Sequence, residues 1–420
     1  MSNSSDQRNI VIIGGGIIGC TTAYFLTRHP SYDPSRHTIT LLEASKIAGG
    51  ASGKAGGLLA LWAYPSNIVP LSYKLHAELA AEHGGEKRWD YRRIHCGQLS
   101  AKGRSIDTTN TENGKPASND SSVSLKKRDQ AAIGKLQAAG LPKDLNWFSP
   151  TSVQSYYEMG DPSTTAQVHP YKFTTSMATL ASEAGAKILT NASATSLSTP
   201  DNTASSVTYT DTTTSTTHTL PASDIILAAG PWTQRLFPRA PISGLRAHSV
   251  TIRPSRPISA YALFTEIALP ANFRPRTDTF LKAKRGHTKE VTPEIYARPN
   301  NEAYCCGEGD TLVPLPATTA DVETDESRCQ DIIDYVGSIS DEMREGEVLV
   351  RQACYLPNVQ ASSGGPLVGE TGVKGVLMAA GHTCWGIQNG PGTGKLMSEF
   401  VFEGGAKSAR VGSLDPRKVL

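Results

Sequence analysis

Residues 10–20 read Ile10-Val11-Ile12-Ile13-Gly14-Gly15-Gly16-Ile17-Ile18-Gly19-Cys20. Four β-branched residues in succession make a short strand buried on both faces, as in the middle of a parallel sheet. Gly14, Gly16 and Gly19 then fall at G-x-G-x-x-G spacing, ahead of a helical run, Cys20–Thr27. Each glycine meets a separate demand. Gly14 allows the tight turn off the strand, Gly16 lets a pyrophosphate approach the backbone, and Gly19 lets helix and strand touch. The free N–H groups at the helix start face such a phosphate. After an insertion, His29–His37, a second strand runs Thr38–Leu42 and ends in Glu43, 24 residues past Gly19. An acidic residue placed there holds ribose hydroxyls. A glycine turn alone occurs in many α/β proteins, but strand, turn, helix and Glu43 together read as a dinucleotide site.

A second glycine-rich stretch follows at once, Ala48-Gly49-Gly50-Ala51-Ser52-Gly53-Lys54-Ala55-Gly56-Gly57-Leu58-Leu59. So many small residues imply backbone passing close to a ligand or to the start of another helix. A nicotinamide domain has no need of it at this point, whereas a flavin, gripped further along the same crevice, does. Lys54 reads equally as a residue near the phosphates or ring and as a surface lysine.

Composition sets the outer limits. A chain of 420 residues exceeds what one core usually holds, so two domains are expected. Hydrophobic content of 38%, charged content of 19% and a net charge of +2 are those of a soluble globular protein with no leaning toward nucleic acid or acidic membranes. No apolar stretch approaches the roughly 18 residues of a membrane span, and residues 1–9 lack a signal peptide's apolar core. Seven scattered cysteines without a C-x-x-C point to a reducing compartment, with no disulfide framework and no metal site. The cytoplasm is the expected location. The final Lys418-Val419-Leu420 is only a distant likeness to a peroxisomal signal.

Along the rest of the chain, Ile68–His83 reads as a helix ending at Gly84-Gly85, and Trp89–Leu99 as a strand. Its polar face, Tyr91, Arg93 and His95, fits a solvated edge better than a cavity wall. Residues 103–128 form a polar surface loop and 131–139 a short helix. Gln167–Pro170 hands over to a helix, Tyr171–Ala184, closed by Gly185, and the strand Ala186–Thr190 completes a βαβ-like step. His169 at that junction reads as a capping or packing residue, with a place facing a cofactor as the alternative. Residues 191–220 carry a β-hairpin pattern, and Asp224–Trp232 holds a buried strand and its turn. Residues 241–257, 260–266, 292–299 and 303–307 supply strands of a second sheet, and Asp331–Ile339 a helix. Gly381-His382-Thr383-Cys384-Trp385-Gly386-Ile387-Gln388-Asn389-Gly390-Pro391-Gly392-Thr393-Gly394-Lys395 reads as a glycine-rich loop feeding a helix, Leu396–Glu403. That is again an anion-receiving arrangement.

The motifs GGGIIG with Glu43, AGGASGKAGGLLA, DIILAAGPW and GHTCWGIQNGPGTGK, in this order, resemble the D-amino-acid oxidase family of flavoproteins, which includes glycine oxidase and sarcosine oxidase. The resemblance spans nearly the whole chain and is nearest to a fungal and plant branch of the family. It implies an α/β fold in which a Rossmann-like FAD-binding domain (1–75, 155–235 and 365–420) interleaves with a substrate domain on a large mixed β-sheet (76–154 and 236–364). It also implies FAD as cofactor. The residues it assigns to FAD are Gly14, Gly16, Ile17, Ile18, Gly19, Glu43 and Ala44, then Ser52, Gly53, Lys54, Ala55 and Gly56, and Ala194, whose backbone meets the adenine. Ala229, Gly230 and Trp232 follow, with Gly381, His382, Gly390, Pro391, Gly392, Thr393 and Gly394 reaching the flavin ring. His382 and Trp385 are the catalytic candidates.

Two positions stand apart from the pattern. Leu356 replaces the arginine of a G-x-R-P stretch found in many members, so handling of substrate as in glycine oxidase does not carry over. Cys354 falls near the flavin-linking cysteine of monomeric sarcosine oxidase, but its neighbours differ and it reads as a buried free thiol. The expected activity is oxidation of a C–N bond in a small amine or amino acid by hydride transfer to flavin N5, with O2 as acceptor. The alternatives are a dehydrogenase using another acceptor, an FAD-binding regulatory protein with little turnover and, most remote, an NAD dehydrogenase. No nucleic-acid partner and no membrane span of the chain itself are expected.

Overall fold

The computed structural model describes residues 7–106, 135, 137–271, 273, 289–361 and 365–420. The first strand, β1 (Arg8–Ile13), lies between β2 (His37–Leu42) and the strand Asp224–Leu227, parallel to both. Lys187–Leu189 extends this sheet beyond β2, Val376–Ala380 extends it beyond Asp224–Leu227, and an antiparallel edge strand, Leu367–Glu370, completes six. Alternation along β1 explains its apolar run. Ile10 and Ile12 enter a core shared with helices, whereas Val11 and Ile13 face the opposite core. The helix side holds α1 (Ile17–Leu26) together with the helices Val69–His83, Pro170–Glu183 and Gly386–Glu403. The other side is covered by a three-stranded antiparallel sheet of Ala192–Ser198, Ser206–Asp211 and Thr217–Pro221, which bears out the hairpin pattern.

Gly14 takes φ of +115°, and a Cβ there would lie 2.4 Å from the Ala228 carbonyl oxygen. At Gly19 a Cβ would meet the Gly14 oxygen at 2.0 Å, which is how α1 sits against the turn.

The second layer is a large mixed sheet. Its order is Glu347–Val359, Ile242–Arg253, Glu302–Asp310, Glu294–Arg298, Tyr261–Ala268, His95–Lys102 and Val153–Gly160, with Glu290–Val291 added beside Tyr261–Ala268. Only Tyr261–Ala268 and His95–Lys102 run parallel. One face, with Leu263, Ile295, Cys305 and Val250, packs on the helix Glu326–Ile339. The other carries Ala262, Tyr296 and Tyr304, with Phe264 and Cys306 packed against them.

The expected strand over 89–99 divides. Trp89 is wholly buried after a short helix, Arg92–Arg93 joins a small sheet with Thr165–Gln167 and Leu58–Ala60, and His95–Lys102 is paired on both sides. His95–Lys102 is therefore an interior strand, whereas Arg92–Arg93 is an edge strand with Arg93 exposed, as the solvated-edge reading expects. Val153–Gly160 belongs to the large sheet, so the boundary expected near 155 falls inside a strand. The polar loop over 103–128 and the helix over 131–139 lie largely outside the described residues. Among the described residues, no helix is long and apolar enough to cross a membrane.

Candidate functional site

A cleft opens where β1, β2 and the neighbouring strands end, the position at which open α/β sheets bind ligands. It encloses about 1310 Å³, the open mouth included, and its walls come from segments far apart in the chain. Gly14–Ile18, Leu42–Ala44, Gly49–Ser52 with Ala55, Ala192–Ala194, Ala228–Trp232, Ala379–Cys384 and Gly386–Ile387 all contribute.

At the turn after β1, the Gly15 amide donates to Glu43 Oε2 at 2.8 Å, and Glu43 Oε1 accepts from the Ser45 amide at 2.9 Å. The Glu43 carboxylate is thereby held at the end of β2, on the cleft wall. The Ile17 amide donates to Ser52 Oγ at 2.9 Å, while among the described residues the Ile18 amide has no acceptor. A Cβ on Gly16 would stand 3.0 Å from Ser52 Oγ, inside the space that this turn leaves free. A helix N-terminus with an unsatisfied amide, a side-chain-free turn and a carboxylate beyond it fits a ligand that carries phosphate and ribose.

The second glycine stretch splits by role. Ser52 and Ala55 line the cleft, but Gly53, Lys54 and Gly56 do not. A Cβ on Gly53 would meet the Ala48 oxygen at 2.1 Å, and one on Gly56 would strike the Tyr296 ring at the same distance. These glycines serve packing. The Lys54 ammonium donates to the Ala353 carbonyl at 2.8 Å, half-buried beside Cys354, so it is neither a surface lysine nor a lining residue. Burial pushes the Cys354 thiol up to about 11, against the pull of Lys54. Ala44, Ala194, Ala229, Gly230 and Trp232 all line the cleft, with the Trp232 indole donating to the Pro316 carbonyl at 2.7 Å. His169 occupies the N-cap position of the helix Pro170–Glu183, but its side chain makes no capping bond and its buried Nδ1 has no partner among the described residues.

The carboxy-terminal segment departs most from expectation. The helix begins at Gly386, ten residues ahead of Leu396, so its N-terminus lies on the cleft and Pro391 lies inside it. Gly390, Pro391, Gly392, Thr393 and Gly394 are thus not a loop at the cleft. Cβ atoms on Gly390, Gly392 and Gly394 would clash with Ile17, Ser72 and Thr21 at 2.6, 2.2 and 2.5 Å, so these glycines let three helices touch. Gly381 and His382 do line the cleft, but the His382 ring turns inward, its Nε2 3.0 Å from Thr393 Oγ1. Burial pushes its pKa down to about 3, which favours the neutral ring. Thr383, on the cleft wall, takes φ of +50°, a costly conformation for a β-branched residue that marks a constrained site. Trp385 stands just off the cleft, ring to ring with Trp62 and Tyr64 at 5.7 Å each.

Arg235, Ala317–Thr319 and Tyr355 also line the cleft, and reading motifs did not find them. They arrive through the short helix Thr233–Leu236, the segment 317–319 and a strand of the large sheet, with no local pattern to mark them. Leu356 lines it too, which gives its departure from the G-x-R-P pattern a structural place.

Fold and cleft define a dinucleotide-binding α/β protein. Residues 9–400 match the family model described as DAO, FAD dependent oxidoreductase, and the chain belongs to that family. It is an FAD-dependent oxidoreductase. It is similar to the Saccharomyces cerevisiae protein named Putative oxidoreductase TDA3, at 37% identity over 99% of this chain and 95% of the yeast one. In fold it matches glycine oxidase from Geobacillus kaustophilus, with TM-score 0.67, 17% identity and 98% of each chain covered. It matches L-proline dehydrogenase from P. horikoshii equally, with TM-score 0.68, 15% identity and 98% of each chain.

Proposed function

We propose that FAD lies along this cleft and that the chain uses it to oxidise the C–N bond of an amine or amino acid, with O2 as acceptor. The observation that carries this reading is the cleft's continuity, from Glu43 past the amide cradle of Gly14–Ile18 to a second helix N-terminus at Gly386. Two solved structures with the same fold are named for amino acids, which supports the substrate class. In this reading Glu43 holds the ribose, the amides at the start of α1 and Ser52 hold the pyrophosphate, and the Ala194 segment meets the adenine. The nucleotide domain then takes residues up to 75, 161–235 and 365–420, and the rest forms the substrate domain. All seven cysteines are free, which suits the reducing environment of the cytoplasm.

Bound FAD supplies a two-electron acceptor. The chain's own part is to place charge and exclude water. The N-terminus of the helix at Gly386 lies on the cleft and would offer its positive end to a flavin ring held there, favouring the reduced, anionic form. His382, neutral and bonded to Thr393, offers no base, so a substrate bound as its ammonium has to lose that proton to solvent before its C–N bond is oxidised. Anaerobic mixing of the holoenzyme with an amine panel tests this through bleaching of the oxidised flavin band. We expect a true substrate to bleach it faster as pH rises, until the bound amine is deprotonated, and then at a constant rate. His382→Ala should slow bleaching while leaving that inflection in place. A pH-independent rate, or no bleaching in a His382→Ala protein that keeps its FAD, would sink the account.

The flavin should also be noncovalent. Cys354 is buried with its thiol held in the neutral form, away from the thiolate that covalent attachment requires. Acid precipitation is expected to leave a colourless pellet. A yellow pellet whose colour disappears in Cys354→Ala would overturn this.

A further inference from the structure

The large sheet turns a row of side chains toward the inner part of the molecule. Phe264, Glu294 and Cys306 stand opposite one another on three adjacent strands, and Ala262, Tyr296 and Tyr304 form the next row on the same face. The half-buried Glu294 carboxylate accepts hydrogen bonds from the Tyr296 hydroxyl and from Cys306 Sγ, the latter at 3.6 Å. Among the described residues, no lysine, arginine or histidine pairs with it. A carboxylate drawn out of water without a cation is costly, and a phenol and a thiol do not neutralise it. Burial accordingly raises its pKa.

A path of aromatic rings connects Glu294 to solvent. Phe264 lies 6.2 Å from Tyr296 and 6.1 Å from Trp62, and Trp62 and Tyr64 both meet Trp385 at 5.7 Å. Trp62 and Tyr64 are 36% and 49% exposed, large hydrophobics left open at the surface end. The cluster borders the cleft, since Cys384 lines the cleft and its Sγ is 3.8 Å from the Tyr64 hydroxyl. Aromatic rings beside a carboxylate that has no cationic partner among the described residues suit an organic cation.

The cations of the same neighbourhood are engaged by protein acceptors. Arg298 is bound to Glu302 and to the Ala55 and Gly56 carbonyls, with its buried Nε alone lacking a partner among the described residues, Arg235 to the Leu315 and Ala317 carbonyls, and Lys54 to the Ala353 carbonyl. Position 356 on the cleft wall is leucine.

We propose that Glu294 receives the ammonium group of the substrate while Trp62, Tyr64, Phe264 and Trp385 enclose its hydrocarbon part, so that the substrate is an amine without a carboxylate. This rests on the reading of the cleft as an amine-oxidising flavin site and narrows its substrate class. Glu294 is a recognition residue; the hydrocarbon that the rings accept is aromatic or aliphatic and of modest size.

The test is equilibrium titration of the anaerobic holoenzyme with 2-phenylethylamine, 2-phenylethanol and both enantiomers of phenylalanine, followed by heat of binding. We expect the amine to bind roughly tenfold or more tightly than the alcohol and than either phenylalanine, a charge-assisted contact's worth. Glu294→Gln should erase the amine's advantage over the alcohol and leave FAD content and alcohol affinity unchanged. The proposal is overturned if either phenylalanine binds as tightly as the amine, if Glu294→Gln keeps the amine's advantage, or if the amine does not bind. Should Glu294→Gln fail to hold FAD, the four-ligand comparison on the wild-type protein decides alone. Flavin bleaching separates the two readings. Glu294-dependent binding with no bleaching by any amine removes C–N oxidation and leaves the recognition site. Equal bleaching by amines in wild type and Glu294→Gln does the reverse.

Discussion

A Gly16→Val protein should purify colourless. The turn after β1 leaves space beside Ser52, where a Cβ on Gly16 would already stand 3.0 Å from the hydroxyl. Valine adds two methyl groups to that Cβ, and α1 cannot retreat because Gly19 already packs on the Gly14 carbonyl. The methyl groups therefore fill the room intended for the pyrophosphate. We expect FAD affinity to fall by about 100-fold or more, equivalent to roughly 3 kcal/mol. Flavin-to-protein absorbance of the purified variant, and titration of apoprotein with FAD, measure it. Thermal stability should fall as well, because a ligand that binds only the folded state stabilises it by mass action. Wild-type FAD affinity in this variant would place the phosphates elsewhere.

What this prediction uses was readable from the chain alone. The apolar run of β1, the glycine spacing and Glu43 are local signals, and each corresponds to an element or contact of the structure. The start of the last helix was not readable. Glycine at 386, 390, 392 and 394 and Pro391 all have low helical propensity, so the segment reads as a loop. Packing overrides propensity here. Small residues on this helix let it approach α1 and the helix Val69–His83 closely enough for Thr21 Oγ1 to bond the Gly390 carbonyl at 2.8 Å and for the Gly392 amide to bond Ser72 Oγ at 3.0 Å. The wall of Phe264, Glu294, Tyr296 and Cys306 was hidden for another reason. Its residues meet only through strand pairing between segments remote in sequence, and alternation within one strand does not reveal which strand lies beside it. His382 shows a third limit. A histidine beside a glycine-rich motif looks chemical, and the motif gives no sign of its bond to Thr393 or of its burial.

Gly394→Val should be among the most destabilising substitutions in the molecule. A Cβ on Gly394 would lie 2.5 Å from the Thr21 carbonyl carbon and 2.8 Å from its oxygen. Those atoms are backbone of a neighbouring helix, so no rotamer change relieves the clash and the two helices have to separate. Separation would break the Thr21–Gly390 bond and open the core that Ile17, Leu396 and Met397 share. Overpacking of this kind costs about 3 kcal/mol or more. Urea unfolding should show a lower midpoint with an unchanged slope. Gly386→Ala is the matched comparison, because its Cβ would meet nothing closer than 3.8 Å and its backbone is already helical. That variant should stay within about 1 kcal/mol of wild type, on the stable side if helix propensity governs. Equal midpoints for the two variants would mean that the glycines at 390, 392 and 394 do not set the helix contact. The consequence reaches the cleft, because the same helix carries its N-terminus at Gly386 to the cleft wall. A Gly394→Val protein that still folds should therefore bind FAD more weakly although residue 394 touches no part of the cleft, and unaltered binding would show that the helix start is held by other contacts.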